Sequence, residues 1–231
     1  MKSFKSMIIF LAVSLSVSIA CIAIFYAHIA VFIFARSNDI DISYKKLTTG
    51  SLTEFVFKGL KAIERKRGIG ILSSGASVKL VFDKFPSAKT TADFSLNDVQ
   101  FIKRGSEEAA SYNNIDGLIA LPFSSLLRYK AISGKVSAVK DGISVKDFRA
   151  SGDTLRFSVD GTLTSGNIID ADISIFFDKE LIGKIPTELT SMALKDGSDG
   201  WKSLTVKVEG DLAKPSIRVT GKLFRLNIGV K

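Results

Sequence analysis

The sequence predicts an all-β protein carrying one N-terminal transmembrane helix, and three observations predict it. From Met7 to Ala35 the 231-residue chain contains no Asp, Glu, Lys or Arg. Beyond Arg36 apolar residues recur at alternate positions, the period of half-buried strands. Asp141-Gly142, Ser151-Gly152-Asp153 and Ser165-Gly166-Asn167 break the later alternating runs at hairpin spacing. Strands joined by tight turns in sequence order form an antiparallel meander.

A helix of the length Met7–Ala35 exceeds the ~30 Å hydrocarbon core of a bilayer, since each residue rises about 1.5 Å. The run is about twice as long as the ~7–15-residue apolar region of a cleaved signal peptide. It is therefore read as an uncleaved signal anchor. Processing at Cys21 would leave a long apolar stretch exposed, which argues against a lipoprotein. The expected organisation is a basic cytoplasmic start (1–6), a membrane span (7–36) and an extracytoplasmic β-rich domain (37–231). Lys2 and Lys5 favour an N-terminus on the inside. The expected location is the inner, cytoplasmic membrane, single-pass, with the bulk of the chain in the periplasm.

Composition excludes several function classes. The net charge is +9, but beyond Lys2, Lys5 and Arg36 the surplus is spread along the chain. Nucleic-acid binding calls for a clustered basic face, so no nucleic acid is expected as a partner. A tethered basic domain better suits an anionic membrane surface. The one Cys and the one His, Cys21 and His28, both fall inside the apolar run. The remainder therefore has no thiol or imidazole for a nucleophilic triad or a common zinc site. No catalytic residue, metal or cofactor is expected, and the protein is not read as an enzyme. His28, among Phe25, Tyr26, Phe32 and Phe34, reads as an interfacial ring rather than a proton relay.

The elements follow in order. Ile40, Ile42 and Tyr44 mark a short first strand. Leu52 to Ile63 is ambiguous, because Leu52, Phe55, Val56, Leu60 and Ile63 suit one helical face while Phe55-Val56-Phe57 begins a strand. Ile69 to Phe82 reads as a strand interrupted at Ser73-Ser74-Gly75. Val136 and Ala138 precede the Asp141-Gly142 turn, and Ile143 and Val145 follow it. Leu155, Phe157, Val159, Gly161 and Leu163 form the next strand, then Ala171, Ile173, Ile175 and Phe177. One short helix is expected over Ile182 to Leu194, with Pro186 in its first turn. Leu204, Val206, Val208, Gly210 and Leu212 and then Ile217, Val219, Gly221 and Leu223 close the sheet. Trp201 reads as a core or sheet-edge aromatic.

A short pattern recurs in Phe55–Leu60, Phe94–Val99 and Ile143–Phe148. Each runs apolar, any, apolar, any, Asp or Gly, apolar. The last apolar residue breaks the alternation, which predicts a β-bulge at Gly59, Asp98 and Asp147. Repeated bulges bend a sheet, so a curved one is expected. Asp98 and Asp147 are read as backbone residues rather than a catalytic pair.

A single N-terminal span followed by this repeated pattern resembles the AsmA-like family of envelope proteins. Ile132-Ser133-Gly134-Lys135-Val136 with Gly142-Ile143-Ser144-Val145 is similar to the family's sheet repeats. The stretch from Val208 to Gly221, with Gly210-Asp211-Leu212 and Pro215, is similar to its closing strands. Small type II secretion N proteins of the same structural group compare in size. The resemblance implies a membrane-anchored, curved antiparallel sheet with an apolar concave face that carries lipid acyl chains. It also implies membrane lipids as partners, with envelope or secretion-complex proteins as others.

The candidate groove residues are Phe157, Val159, Ile173, Ile175, Val206, Val208, Ile217 and Val219. Lys61, Arg65, Lys66 and Arg67 are the candidate headgroup cations. The expected function is shielding or passing acyl chains, or supporting envelope assembly. The competing class is a structural subunit that binds a partner through its sheet edges without lipid.

Overall fold

A computed structural model describes residues 26–82, 90–103, 112–139 and 141–229. Helix α1 covers residues 26–37. The first sheet segment comprises β1 (Ile40–Ser43), β2 (Lys46–Ser51), β3 (Glu54–Glu64), β4 (Ile69–Phe82) and β5 (Thr90–Lys103). Helix α2 (Ile115–Ala120) runs into a 3-10 turn, Leu121–Phe123. Then come β6 (Arg128–Val139), β7 (Gly142–Ser151), β8 (Leu155–Thr164) and β9 (Ile168–Phe177). Helices α3 (Lys179–Ile182) and α4 (Thr187–Ala193) lead to β10 (Lys195–Asp196), β11 (Lys202–Asp211), β12 (Ser216–Thr220) and β13 (Arg225–Gly229).

Among the described residues the thirteen strands form one antiparallel sheet in the order β1-β3-β4-β5-β6-β7-β8-β9-β11-β12-β13, with β2 added to β3 and β10 to β11. Among the described residues β1 and β2 both pair with β3 at one end, β13 lies at the other, and the two ends do not pair, so the described sheet is open rather than a closed barrel.

The expected membrane span is corrected. Among the described residues no helix is long and apolar enough to cross a membrane. Residues 7–25 of that expectation lie outside the described residues, and the stretch from Tyr26 on is laid against the sheet instead. Ala27 and Ala35 are buried on one side of α1, with Val31 packed between them. The Tyr26 hydroxyl donates to the Ser51 carbonyl (2.9 Å), and His28 Nδ1 shares a hydrogen bond with the Tyr44 hydroxyl (2.7 Å). Polar anchors on β2 and beside β1 are what hold this helix to the sheet; hydropathy alone did not show them.

Register explains the core. One inner-face row runs Phe57, Ala76, Leu96, Ile132, Ala150, Phe157, Ile175 and Leu204 across eight strands. Every member is buried. The opposite face is wet and polar, with Lys207 bridging Asp170 (3.5 Å) and Glu209 (3.1 Å), and Arg218 reaching Glu209 (3.5 Å).

The repeated motif has a backbone cause. Gly59, Asp98 and Asp147 all adopt left-handed conformations, with φ of 63°, 50° and 52°. At Asp147 the register shifts between Val145 and Phe148. At Asp98 both Leu96 and Val99 are buried although three positions apart, so the inward alternation slips by one. The Ser74 hydroxyl donates to the Asp98 carboxylate (2.6 Å), and the Asp147 N–H donates to Asp160 (2.8 Å). At Asp98 the short side chain itself accepts, which favours Asp at a left-handed position; at Asp147 the bond is made by the backbone N–H.

The same slip resolves the ambiguous Leu52–Ile63 stretch as strand β3: the left-handed Gly59 inserts a break that imitates helical spacing. β4 is one 14-residue strand, not an interrupted one. The Ser73 hydroxyl bonds the Gly75 and Asn97 carbonyls, each at 2.7 Å. The expectation of one helix beyond the span is corrected too. Pro186 splits Ile182–Leu194 by standing in extended geometry (ψ 138°) before α4, while the Asp178 side chain caps α3 by accepting from Leu181 N–H (2.9 Å). Helix α2, capped by Asn114, adds another. Leu223 is not a strand residue but an exposed loop one ahead of β13.

Candidate functional site

All eight sequence-predicted groove residues lie on the inner face and meet through the register. Phe157 pairs Ile175 and Val159 pairs Ile173 across β8 and β9; Val206 pairs Ile173, Val219 pairs Val206, and Ile217 pairs Val208. Their surroundings divide them. Phe157, Ile175, Val206 and Val219 are at most 2 % exposed and belong to the closed core. Val159, Ile173, Val208 and Ile217 are only half-buried.

Helices cause the division. The α2/3-10 segment buries Leu118, Leu121 and Pro122, and the Phe123 ring meets Phe157 edge-on at 5.5 Å. The Tyr129 hydroxyl donates to the Pro122 carbonyl (2.7 Å), fixing that cover to β6. Burial pushes the Tyr129 pKa above its ordinary range. Leu181, Ile185, Ala193 and Leu194 cover the β11 and β12 side. Gly221 packs under this cover, since a Cβ there would lie 2.8 Å from the Ala193 carbonyl oxygen.

The apolar face continues past these helices. A row runs Leu80, Ala92, Val136, Val145, Gly161, Ala171, Val208 and Ile217 from β4 to β12. Its small members are Ala92, Gly161 and Ala171, with Val136 and Val145 between Ala92 and Gly161. The neighbouring inner row is taller, with Phe94, Phe148, Val159 and Ile173. Phe94 and Phe148 reach each other at 6.0 Å over Gly134, where a Cβ would stand 3.1 Å from the Phe94 ring. On the other side a rim row contains Phe82, Ile143 and Leu163, of which Phe82 and Ile143 are exposed. Together the three rows make an apolar strip of the inner face, the trough, whose rim row also holds Thr90 and Ala138. At about 4.8 Å between strands, eight strands give it a length of roughly 34 Å.

No ionisable side chain lies in the three rows among the residues named, so the trough offers contact without acid–base chemistry. Among the described residues no group of three or more His, Cys, Asp or Glu side chains is placed to hold a metal. Of the eight sequence-predicted groove residues, Val208 and Ile217 lie on the trough floor, the row from Leu80 to Ile217, and Val159 and Ile173 in the row beside it, while Phe157, Ile175, Val206 and Val219 are closed into the core. Leu80, Ala92, Val136, Val145, Gly161 and Ala171 join that floor only through cross-strand register, which alternation within one strand does not reveal.

The headgroup quartet is also divided. Arg65 is committed to Asp41 (2.8 Å) and Asp39 (3.7 Å), and Lys66 leans toward Asp39 (3.9 Å). The hydrogen bond that Arg65 Nε donates to the Asp41 carboxylate holds the guanidinium pKa above its ordinary value. Arg67 sits exposed in the turn after β3, its backbone N–H donating to Glu64 (3.2 Å). Only Lys61 and Arg65 reach a cleft, which Arg36 from α1 also lines. Trp201 is half-buried, with the Arg156 guanidinium 4.1 Å over its ring. In comparisons with protein-family models, curated proteins and solved structures, nothing matched the chain.

Proposed function

We propose that the protein shields lipid acyl chains in this trough, in the setting of a cell envelope that the AsmA-like resemblance suggests. The observation that supports the reading is the apolar row from Leu80 to Ile217, whose members apart from Ala171 stay half-buried rather than closed into the core. A sheet face of this kind gains by burying itself against something apolar. Each acyl methylene taken from water contributes about 0.8 kcal/mol. A length of roughly 34 Å is about twice the depth of one leaflet of a ~30 Å hydrocarbon core, so an extended chain fits lengthwise. The mechanism is passive: chains lie across the strands while headgroups stay in water.

Native mass spectrometry of the full chain tests this. Phospholipid-mass adducts are expected, and they should disappear when Val136→Asp and Val145→Asp are combined while circular dichroism stays unchanged. Ser144→Asp, on the wet face, should keep the adducts. Adducts that survive the double substitution would refute the trough.

A second reading has its own support: the described sheet is open at β13 and at β1/β2, and unpaired strand edges are templates for a partner strand. A structural subunit of an envelope or secretion complex would use those edges. Adduct-free protein that captures a partner through β13 would favour it.

A further inference from the structure

A second site lies away from the trough, at the β1/β3 end of the sheet. A cleft of about 660 Å³ opens between α1, β1 and β3. That volume falls within the roughly 300–1,000 Å³ of small-molecule sites. Its apolar wall is Val31 and Ala35 from α1, Ile40 and Ile42 from β1, and Ile63 from β3. Arg36, Lys61 and Arg65 line the same cleft, and Asp41 is the one carboxylate among its lining residues.

The charges do not cancel. Asp41 is taken by Arg65 Nε at 2.8 Å. Arg36 and Lys61 make no ion pair among the described residues. Two uncompensated cations therefore sit beside a wall of branched aliphatic side chains. A small inorganic anion would leave that wall in water, and a neutral alkyl chain would leave the cations unused. A charge-assisted hydrogen bond from Arg or Lys to a carboxylate or phosphate is about twice as strong as a neutral one. We infer that this cleft binds an anionic amphiphile, a carboxylate or phosphate group on an alkyl chain, with the headgroup at Arg36 and Lys61 and the chain along Val31, Ala35 and Ile63, the last sharing a sheet face with Lys61. The exposed Phe32 ring stands at the cleft and offers further apolar cover. This site is separate from the trough, so it stands or falls independently of acyl binding there.

The test uses the full chain in detergent-free buffer, with dansyl-undecanoate as the fluorescent probe. Oleate and lysophosphatidate are the competing anionic amphiphiles. Methyl oleate lacks the charge, and inorganic phosphate lacks the chain. The expected result is that at least one anionic amphiphile displaces the probe at concentrations about tenfold or more below those of methyl oleate, while phosphate does not displace it. Whichever of oleate and lysophosphatidate competes better identifies the headgroup source. Combining Arg36→Gln with Lys61→Gln should weaken the probe about tenfold or more, with Lys61→Arg retaining binding as the charge-keeping control. Both positions are exposed, so an unchanged melting curve is expected for each variant. The trough variant Val136→Asp/Val145→Asp should bind the probe as the parent does. Equal displacement by methyl oleate, full displacement by phosphate, or unchanged binding in the Gln pair would overturn the inference. Loss of probe binding in the trough variant alone would place the probe in the trough and also overturn it.

Discussion

Tyr129→Phe probes the joint between the helical cover and the sheet. The ring is 1 % exposed and packs edge-on against Phe101 (5.9 Å) and Phe157 (5.5 Å). Phenylalanine keeps those contacts, so the apolar term is nearly unchanged. What is lost is the hydroxyl that donates to the Pro122 carbonyl at 2.7 Å. A buried acceptor left without its partner costs about 1–3 kcal/mol, and that is the loss expected in urea unfolding at pH 7. The pH dependence supplies a second, independent reading. Burial raises the Tyr129 pKa, so the native state holds the phenol neutral. Its contribution is intact below the unfolded-chain value near 10 and is lost as pH rises above it. At pH 11 the parent should have lost on the order of 1 kcal/mol from this residue, and the Phe variant nothing from it. Every other group is common to the two proteins and cancels in the difference. Urea melts of the two proteins at pH 7 and pH 11 should therefore show the gap shrinking. A gap that stays constant, or a variant as stable as the parent at pH 7, would refute a buried, neutral, bonded Tyr129.

Phe157→Ala should destabilise the fold by roughly 3–5 kcal/mol, while Ile173→Val in the half-buried row should cost no more than about 0.5–1.5 kcal/mol; urea melts compare the two. Asp147→Val should cost about 1–2 kcal/mol for a branched residue at a left-handed position, and Asp147→Gly should be tolerated, again by urea unfolding. Asp196 is hydrogen-bonded by Lys222 (2.6 Å) and approached by Lys202 (3.4 Å), which lowers its pKa. Its contribution is present above the ordinary carboxylate value and fades as pH falls through the lowered one. Carbon-detected NMR titration should find Asp196 below its ordinary value and moving up toward it in Lys222→Ala.

Strands were legible because an antiparallel sheet with one wet face writes its burial directly as alternation. Val159, Ile173 and Val208 could be placed on one face from the sequence alone. So could the left-handed positions, since Gly59, Asp98 and Asp147 each precede an apolar residue of the wrong parity. What was not legible depends on contacts between distant parts of the chain. Phe157 and Val159 look alike in the alternation, and only the α2/3-10 segment, whose Phe123 rests on Phe157, separates core from trough. The run ending at Ala35 reads as membrane-spanning by hydropathy, yet Tyr26 and His28 find partners at Ser51 and Tyr44. Hydropathy counts apolar residues and cannot weigh such bonds. Arg36 escaped notice as a cleft residue because its neighbours there, Lys61 and Ile63, come from β3.

The central claim is that the inner face past the helices meets lipid while the outer face meets water. Neighbouring residues on β8 separate the two, because Leu163 points inward at the rim and Thr162 outward. A photo-activatable benzoylphenylalanine placed at each position in turn, in the full chain expressed in cells, reads the two faces directly. The trough predicts phospholipid adducts at 163 by mass spectrometry and none at 162. Adducts at both positions alike, or at neither, would contradict it.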